Sequence, residues 1–203
     1  MNYINLFLGI RQYDCNLKKE NFKKLIDIAY KSSPTNDSPG YQTLLFDTDE
    51  SIKLLRESFR ECCRDYFKVD RDDEVRLWFY QDWIDNPHRN GQYWHNHPCS
   101  FYALSAVMYL TLPEDSSTTG FSLDTNNGSI GSYDLFPNMM YLPKVINKWF
   151  VFPNWMPHIP GKCNSHERRI CVGADYQLSQ APLTLYETPV NINTYYTKDS
   201  KES

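Results

Sequence analysis

The chain has 203 residues, a net charge of −4 and an apolar content of 41%, enough to bury a core within one large domain without disulfide or metal staples. Acidic and basic residues are interspersed, so no basic stripe offers itself to duplex nucleic acid, and no apolar run is long enough to cross a bilayer. Cys15, Cys62, Cys63, Cys99, Cys163 and Cys171 show neither C-x-x-C spacing nor disulfide-scaffold density, which points to reduced thiols and a cytoplasmic location.

The first six residues carry a short apolar patch without a basic flank, unlike a signal peptide. Residues 1–15 read as an opening strand or extended arm in which Leu6, Leu8 and Ile10 alternate. A first helix follows, with Asn16 as N-cap and Phe22, Leu25, Ile26 and Ala29 on one face; it ends before Ser32-Ser33-Pro34, because proline cannot continue it. Asp37 to Tyr41 is turn sequence, and residues 41–46 form a short strand. Asp47 with Glu50 resembles a capping box for a second helix, whose buried stripe is Ile52, Leu55, Phe59, Cys62 and Tyr66, as far as about Lys68.

From Val75 the apolar period changes to two. Residues 75–84, 92–97, 101–112, 121–124, 133–141, 149–152 and 169–177 are all strand candidates, separated by turn pairs such as Asn90-Gly91, Asn127-Gly128 and Pro160-Gly161. The pattern predicts a mainly β fold with N-terminal supporting helices, a double-sheeted jelly roll or related sandwich. Residues 1–190 form its single domain, and residues 191–203 are a flexible tail.

Three histidines stand out. His95 and His97 sit at i and i+2, so an extended backbone puts both rings on one face, and Pro98 fixes the end of the segment. His158 follows the apolar run Phe150-Val151-Phe152 and a turn stiffened by Pro153 and Pro157. Three imidazoles on a rigid sheet can hold a first-row divalent metal. Each histidine also has a plainer reading, as a surface pair and an exposed loop residue. Asp124 is either a metal ligand from a neighbouring strand or, the preferred reading, an Asx-turn residue ahead of Asn126-Asn127-Gly128. His88 and His166 lie in polar loop sequence and belong to solvent.

Arg169 starts the alternation of Cys171, Gly173 and Asp175 against Ile170, Val172 and Ala174 and so can point inward, while Arg168 faces water. An inward guanidinium needs an anionic partner, and a ligand carboxylate in bidentate geometry supplies one. The alternative is a surface arginine paired with Glu167.

Taken together, these residues resemble the iron(II)- and 2-oxoglutarate-dependent oxygenases, in particular a phage and bacterial branch. The blocks carrying the likeness are Trp83-Ile84-Asp85, Gly91, His95-Asn96-His97-Pro98-Cys99-Ser100, Val107-Met108-Tyr109-Leu110, Gly120-Phe121-Ser122-Leu123, Phe152-Pro153-Asn154-Trp155-Met156-Pro157-His158 and Arg169-Ile170-Cys171, with Ser38 to Thr43 upstream. Asp85, Ala106 and Cys171 depart from the branch's Asn, Gly and Ser.

The resemblance implies a double-stranded β-helix (jelly roll) that uses Fe(II), 2-oxoglutarate and dioxygen to hydroxylate a C–H bond of a small molecule or protein residue. It implies that His95, His97 and His158 hold the iron, or that His97 is the first histidine and Asp124 or water completes the shell. Arg169 would then clamp the far carboxylate of 2-oxoglutarate, with Tyr109 and Tyr102 as pocket or donor residues, as Tyr93 and Trp155 could also be. Two rivals use the same histidines: a zinc-dependent hydrolase, and a non-catalytic jelly-roll binding module in which they are structural.

Overall fold

The computed structural model describes residues 3–7, 9–34, 41–68, 74–87, 94–97, 103–122 and 139–177. The N-terminal arm folds back on itself instead of running straight. Its β1 (Tyr3–Asn5) and β2 (Arg11–Asp14) pair antiparallel across a turn in which Gly9 has φ +81°, a left-handed conformation that costs glycine little. Helix α1 (Lys19–Lys31) starts two residues later than Asn16 would set it: its N-cap is Lys18, with no side-chain cap. Strand β3 (Tyr41–Leu44) precedes α2 (Glu50–Phe67), which Asp49 caps by accepting from the Ser51 amide at 2.8 Å. Asp47, the expected cap, instead accepts from Arg56 Nε at 2.8 Å. Lys68 ends α2 in a left-handed conformation.

The remaining strands are β4 (Glu74–Asp82), β5 (Ala103–Thr111), β6 (Gly120–Ser122), β7 (Met139–Tyr141), β8 (Lys148–Pro153), β9 (His158–Ile159) and β10 (Arg169–Gln177). Among the described residues they form two antiparallel sheets, a large one in the order β1-β2-β8-β5-β10-β4-β3 and a small one in the order β7-β6-β9. Of the strand expected over residues 92–97, the described part is a single bridge between His95 and His158. His158 itself opens a strand and is not a loop residue. The turns expected at 37–40, 90–91 and 127–128, the tail 191–203, and Tyr93, Tyr102 and Asp124 lie outside the described residues.

Period-two alternation divides the large sheet into two faces. Leu77 and Phe79 of β4, Leu104, Ala106, Met108 and Leu110 of β5, Trp149 and Val151 of β8, and Ile170, Val172, Ala174 and Tyr176 of β10 pack against Leu25, Ala29, Ile52, Leu55, Phe59, Cys62 and Cys63 of the helices. The opposite face carries Val107, Tyr109, Phe150, Phe152 and Cys171, which cluster with Phe121 of the small sheet. The helices thus seal one face, and the other becomes the inside of the jelly roll. No described helix is long and apolar enough to cross a membrane.

Candidate metal centre

His95 and His158 come together because their backbones pair: the amide of each donates to the carbonyl of the other at 2.9 Å. His97 is tied to the same turn two residues away. Its amide donates to Asn154 O at 2.9 Å, and Asn154 Nδ2 donates back to His97 O at 2.6 Å. Asn96 Nδ2 adds a contact to Trp155 O at 3.4 Å. Trp94, buried with Ile159 and flanked by Met139, anchors the front of the segment. One ligand nitrogen from each of His95, His97 and His158 lies within 4.8 Å of the others. The two rings expected on one face are in fact stacked, 5.4 Å apart with 17° between their planes.

The surroundings of each ring suit a metal ligand. His158 is buried between Phe121 and Phe152, with ring centroids 5.8 and 5.0 Å away. Its Nδ1 donates to Met156 O at 2.9 Å, leaving Nε2 as the free nitrogen. Burial, and then the neighbouring His95 and His97, hold its pKa well below the usual histidine range. It is therefore neutral, as a ligand must be. His97 Nδ1 lies 2.6 Å from Asp175 Oδ1, and Trp78 packs 5.9 Å from its ring. His95 is exposed, so the cluster is reachable from solvent.

Arg169 lies on the inner face of β10, as its alternation predicts, and is fully buried. Nη1 donates to Ser117 O at 2.8 Å and to Gly161 O. Gly161 can sit there only because it lacks a side chain: a Cβ would fall 2.2 Å from Thr118 O. The anionic partner expected of a ligand is present within the chain: Asp82, the cross-strand neighbour of Arg169, places Oδ2 3.6 Å from Nη2. Even so, Nε and Nη2 have no hydrogen-bond partner among the described residues. Two adjacent N–H groups along one edge of a buried guanidinium match a side-on carboxylate, so Arg169 fits the far end of 2-oxoglutarate. Burial alone would lower its pKa, but Cys171, Tyr80, Tyr109 and Asp82 raise it, so the group stays charged.

Tyr109 is buried nearby, opposite Cys171 across the β5–β10 ladder. Its hydroxyl accepts from the Thr119 amide at 2.6 Å and pairs with Thr119 Oγ1 at 2.8 Å, and burial pushes its pKa up to about 12. Cys171 is likewise a neutral thiol, raised by burial to about 11. Arg168 faces the helix side and does not point freely into water. It lies 4.5 Å from the Trp83 ring and 5.2 Å from Tyr30, and donates to Gln81 Oε1 at 3.1 Å. His166 is exposed as expected, paired with Asp85 at 2.7 Å.

Four contributors went unnoticed in the sequence: Asp82, Asp175, Ser105 and Trp78. The available signal was polarity out of place. Asp175 and Ser105 are polar positions inside strands that are otherwise apolar and buried.

Comparison with known proteins agrees with this geometry. Residues 83–175 match the family described as "Putative 2OG-Fe(II) oxygenase". No curated protein matches the chain. Among solved structures, HygX from Streptomyces hygroscopicus, crystallised with nickel, 2-oxoglutarate and hygromycin B, is similar with a TM-score of 0.62 at 10% identity, over 84% of this chain and 83% of that one. A Pseudomonas putida prolyl-4-hydroxylase is similar with a TM-score of 0.59 at 13% identity, over 84% and 93%. The viral collagen prolyl hydroxylase of Paramecium Bursaria Chlorella virus-1 gives 0.58 at 11% identity, over 84% and 91%. At these identities the structural likeness speaks for the jelly-roll fold, and the family match speaks for the chemistry. Residues 83–175 are thus similar to the 2OG-Fe(II) oxygenases, and the fold and the histidine cluster are consistent with that likeness.

Proposed function

We propose that the protein hydroxylates a C–H bond of a small molecule or a protein residue, with His95, His97 and His158 holding Fe(II) and Arg169 receiving the far carboxylate of 2-oxoglutarate. The observation that carries this reading is the convergence of three imidazoles from two distant segments, with ligand atoms within 4.8 Å. When bound, iron and 2-oxoglutarate supply the activation of dioxygen, with succinate and carbon dioxide as co-products.

The chain's own residues bind, orient and exclude water. Met156 O fixes which nitrogen of His158 is free, and Phe121 and Phe152 keep that ring dry. Ser117 O and Gly161 O hold one end of the Arg169 guanidinium, so its remaining N–H groups are set in place before the ligand arrives. Tyr109 is buried near Arg169 with its hydroxyl held by Thr119, which suits a residue of the co-substrate pocket. Tyr102 and Asp124 stay as candidates for the co-substrate pocket and for an alternative carboxylate ligand.

Residues 1–190 as one domain is supported by the core that the helices share with the large sheet. A cytoplasmic location is supported by Cys15, Cys62, Cys63, Cys163 and Cys171, all buried free thiols.

Anaerobic addition of Fe(II) and 2-oxoglutarate tests the reading. A visible charge-transfer band is expected, absent in His158→Ala and weakened in Arg169→Ala. No band in the wild type, or one that survives His158→Ala, contradicts it.

A further inference from the structure

A shell of three neutral imidazoles gives a divalent ion no charge compensation, whereas a shell with one carboxylate neutralises one unit. The inner face of the large sheet holds a carboxylate one step behind the histidines. Asp175 Oδ1 lies 2.6 Å from His97 Nδ1 and accepts from Ser105 Oγ at 2.7 Å, while Ser105 Oγ is 3.2 Å from the same ring nitrogen. Ser105 and Asp175 are direct partners across the β5–β10 ladder, at the centre of the sheet. The group behind the ring is therefore built on rigid strands and not on a loop.

Two neighbours complete the seat. Gly173 is the next residue on the same face of β10, and a Cβ there would lie 2.3 Å from the Trp78 ring. Glycine thus lets Trp78 lie across the strand, where it packs against His97. On the other side the His97 backbone is held by Asn154 in both directions. The ring is constrained by backbone, aromatic packing and carboxylate at once.

We propose that Asp175, steadied by Ser105, is a positioning residue for the metal: it keeps the His97 proton on Nδ1, turns Nε2 toward the other two rings, and places a negative charge next to the three-histidine shell. The proposal rests on the three-histidine reading above and goes further by naming the group that makes such a shell hold a cation. A carboxylate behind a ligating histidine fixes its tautomer and raises its basicity, and losing it costs about 10–100-fold in metal affinity.

The test is anaerobic titration of the metal-free chain with Co(II), read by the ligand-field bands, alongside thermal melting and circular dichroism of each variant. Asp175→Asn keeps the shape but cannot accept as an anion. It is expected to weaken Co(II) binding about 10–100-fold with altered bands while the secondary structure is retained. Ser105→Ala keeps Asp175 and is expected to weaken binding several-fold less. Should Asp175→Asn fail to fold, Ser105→Ala decides alone: weaker binding with altered bands supports the proposal, and wild-type binding overturns it. A folded Asp175→Asn with wild-type affinity and bands also overturns it. Failure of the underlying reading looks different: the wild type then binds no stoichiometric Co(II), or binding is indifferent to His158→Ala.

Discussion

One face of β10 presents Ile170, Val172, Ala174 and Tyr176 to the helices; the other presents Arg169, Cys171, Gly173 and Asp175 to the inside of the jelly roll. The first face is apolar and closed, and its contribution is packing. Phe59 of α2, for instance, stacks obliquely on Trp149 and edge-on against Tyr176. The second carries a cation at one end and an anion six residues along, about 20 Å away at strand spacing, each committed to a specific partner. The same strand thus supplies stability through its even-numbered residues and chemistry through its odd-numbered ones. A substitution on either face should report which job it disturbs.

The largest effects should come from truncating one residue on each face. Phe59→Ala removes a fully buried ring and should cost about 3–5 kcal/mol of stability, leaving Co(II) affinity of the folded protein unchanged. Arg169→Leu removes the cation beside the buried carboxylate of Asp82 and should cost a similar ~3–5 kcal/mol. Unlike the first variant, it should also abolish 2-oxoglutarate binding while Co(II) still binds. Urea unfolding combined with separate metal and co-substrate titrations distinguishes the two. If Phe59→Ala lowered metal affinity as strongly as stability, the division between the faces would fail.

Gly173→Ala should have an intermediate effect. The added methyl must displace the Trp78 ring, an overpacking cost of about 1–3 kcal/mol. Because that ring packs against His97, metal affinity should fall too, with a change in tryptophan fluorescence. Lower stability with unchanged metal binding would mean that Trp78 does not help seat His97.

The smallest effect is the pH dependence of the metal-free protein. His158 has a folded-state pKa below the ordinary value of about 6.5, lowered first by burial and then by His95 and His97. As pH falls, the unfolded chain takes up this proton before the folded one does. The stabilising contribution is therefore full above the unfolded pKa and is lost as pH drops through the depressed folded value. Melting temperatures of the metal-free chain should decline on acidification, with a shallower slope in His158→Gln; identical slopes would contradict this.

Much of this was legible from the residues. His95-Asn96-His97-Pro98 and Phe152 to His158 mark the two segments whose histidines converge, and the alternation from Arg169 to Gln177 gives both the strand and the inward arginine. The apolar stripe of α2 is recovered residue by residue, from Ile52 to Cys62. What sequence could not supply is register. That Asp82 faces Arg169, and that Ser105 and Asp175 meet behind His97, depends on which strands become neighbours, and period-two patterns are silent on this. That Arg169 also has an anion within the chain was hidden for the same reason: Asp82 lies 87 positions earlier, on β4. Helix starts were misjudged more locally. Asn16 and Asp47 have capping chemistry, but α1 begins without a side-chain cap and Asp49 takes the place of Asp47.

The central claim of the proposed function is that the imidazoles of His95, His97 and His158 hold the iron, in preference to a shell completed by Asp124. X-ray absorption at the iron edge of the anaerobically loaded wild-type protein counts those ligands directly. The account predicts one iron per chain with the scattering pattern of three imidazoles. A pattern of two imidazoles and a carboxylate, or no bound iron, would contradict it.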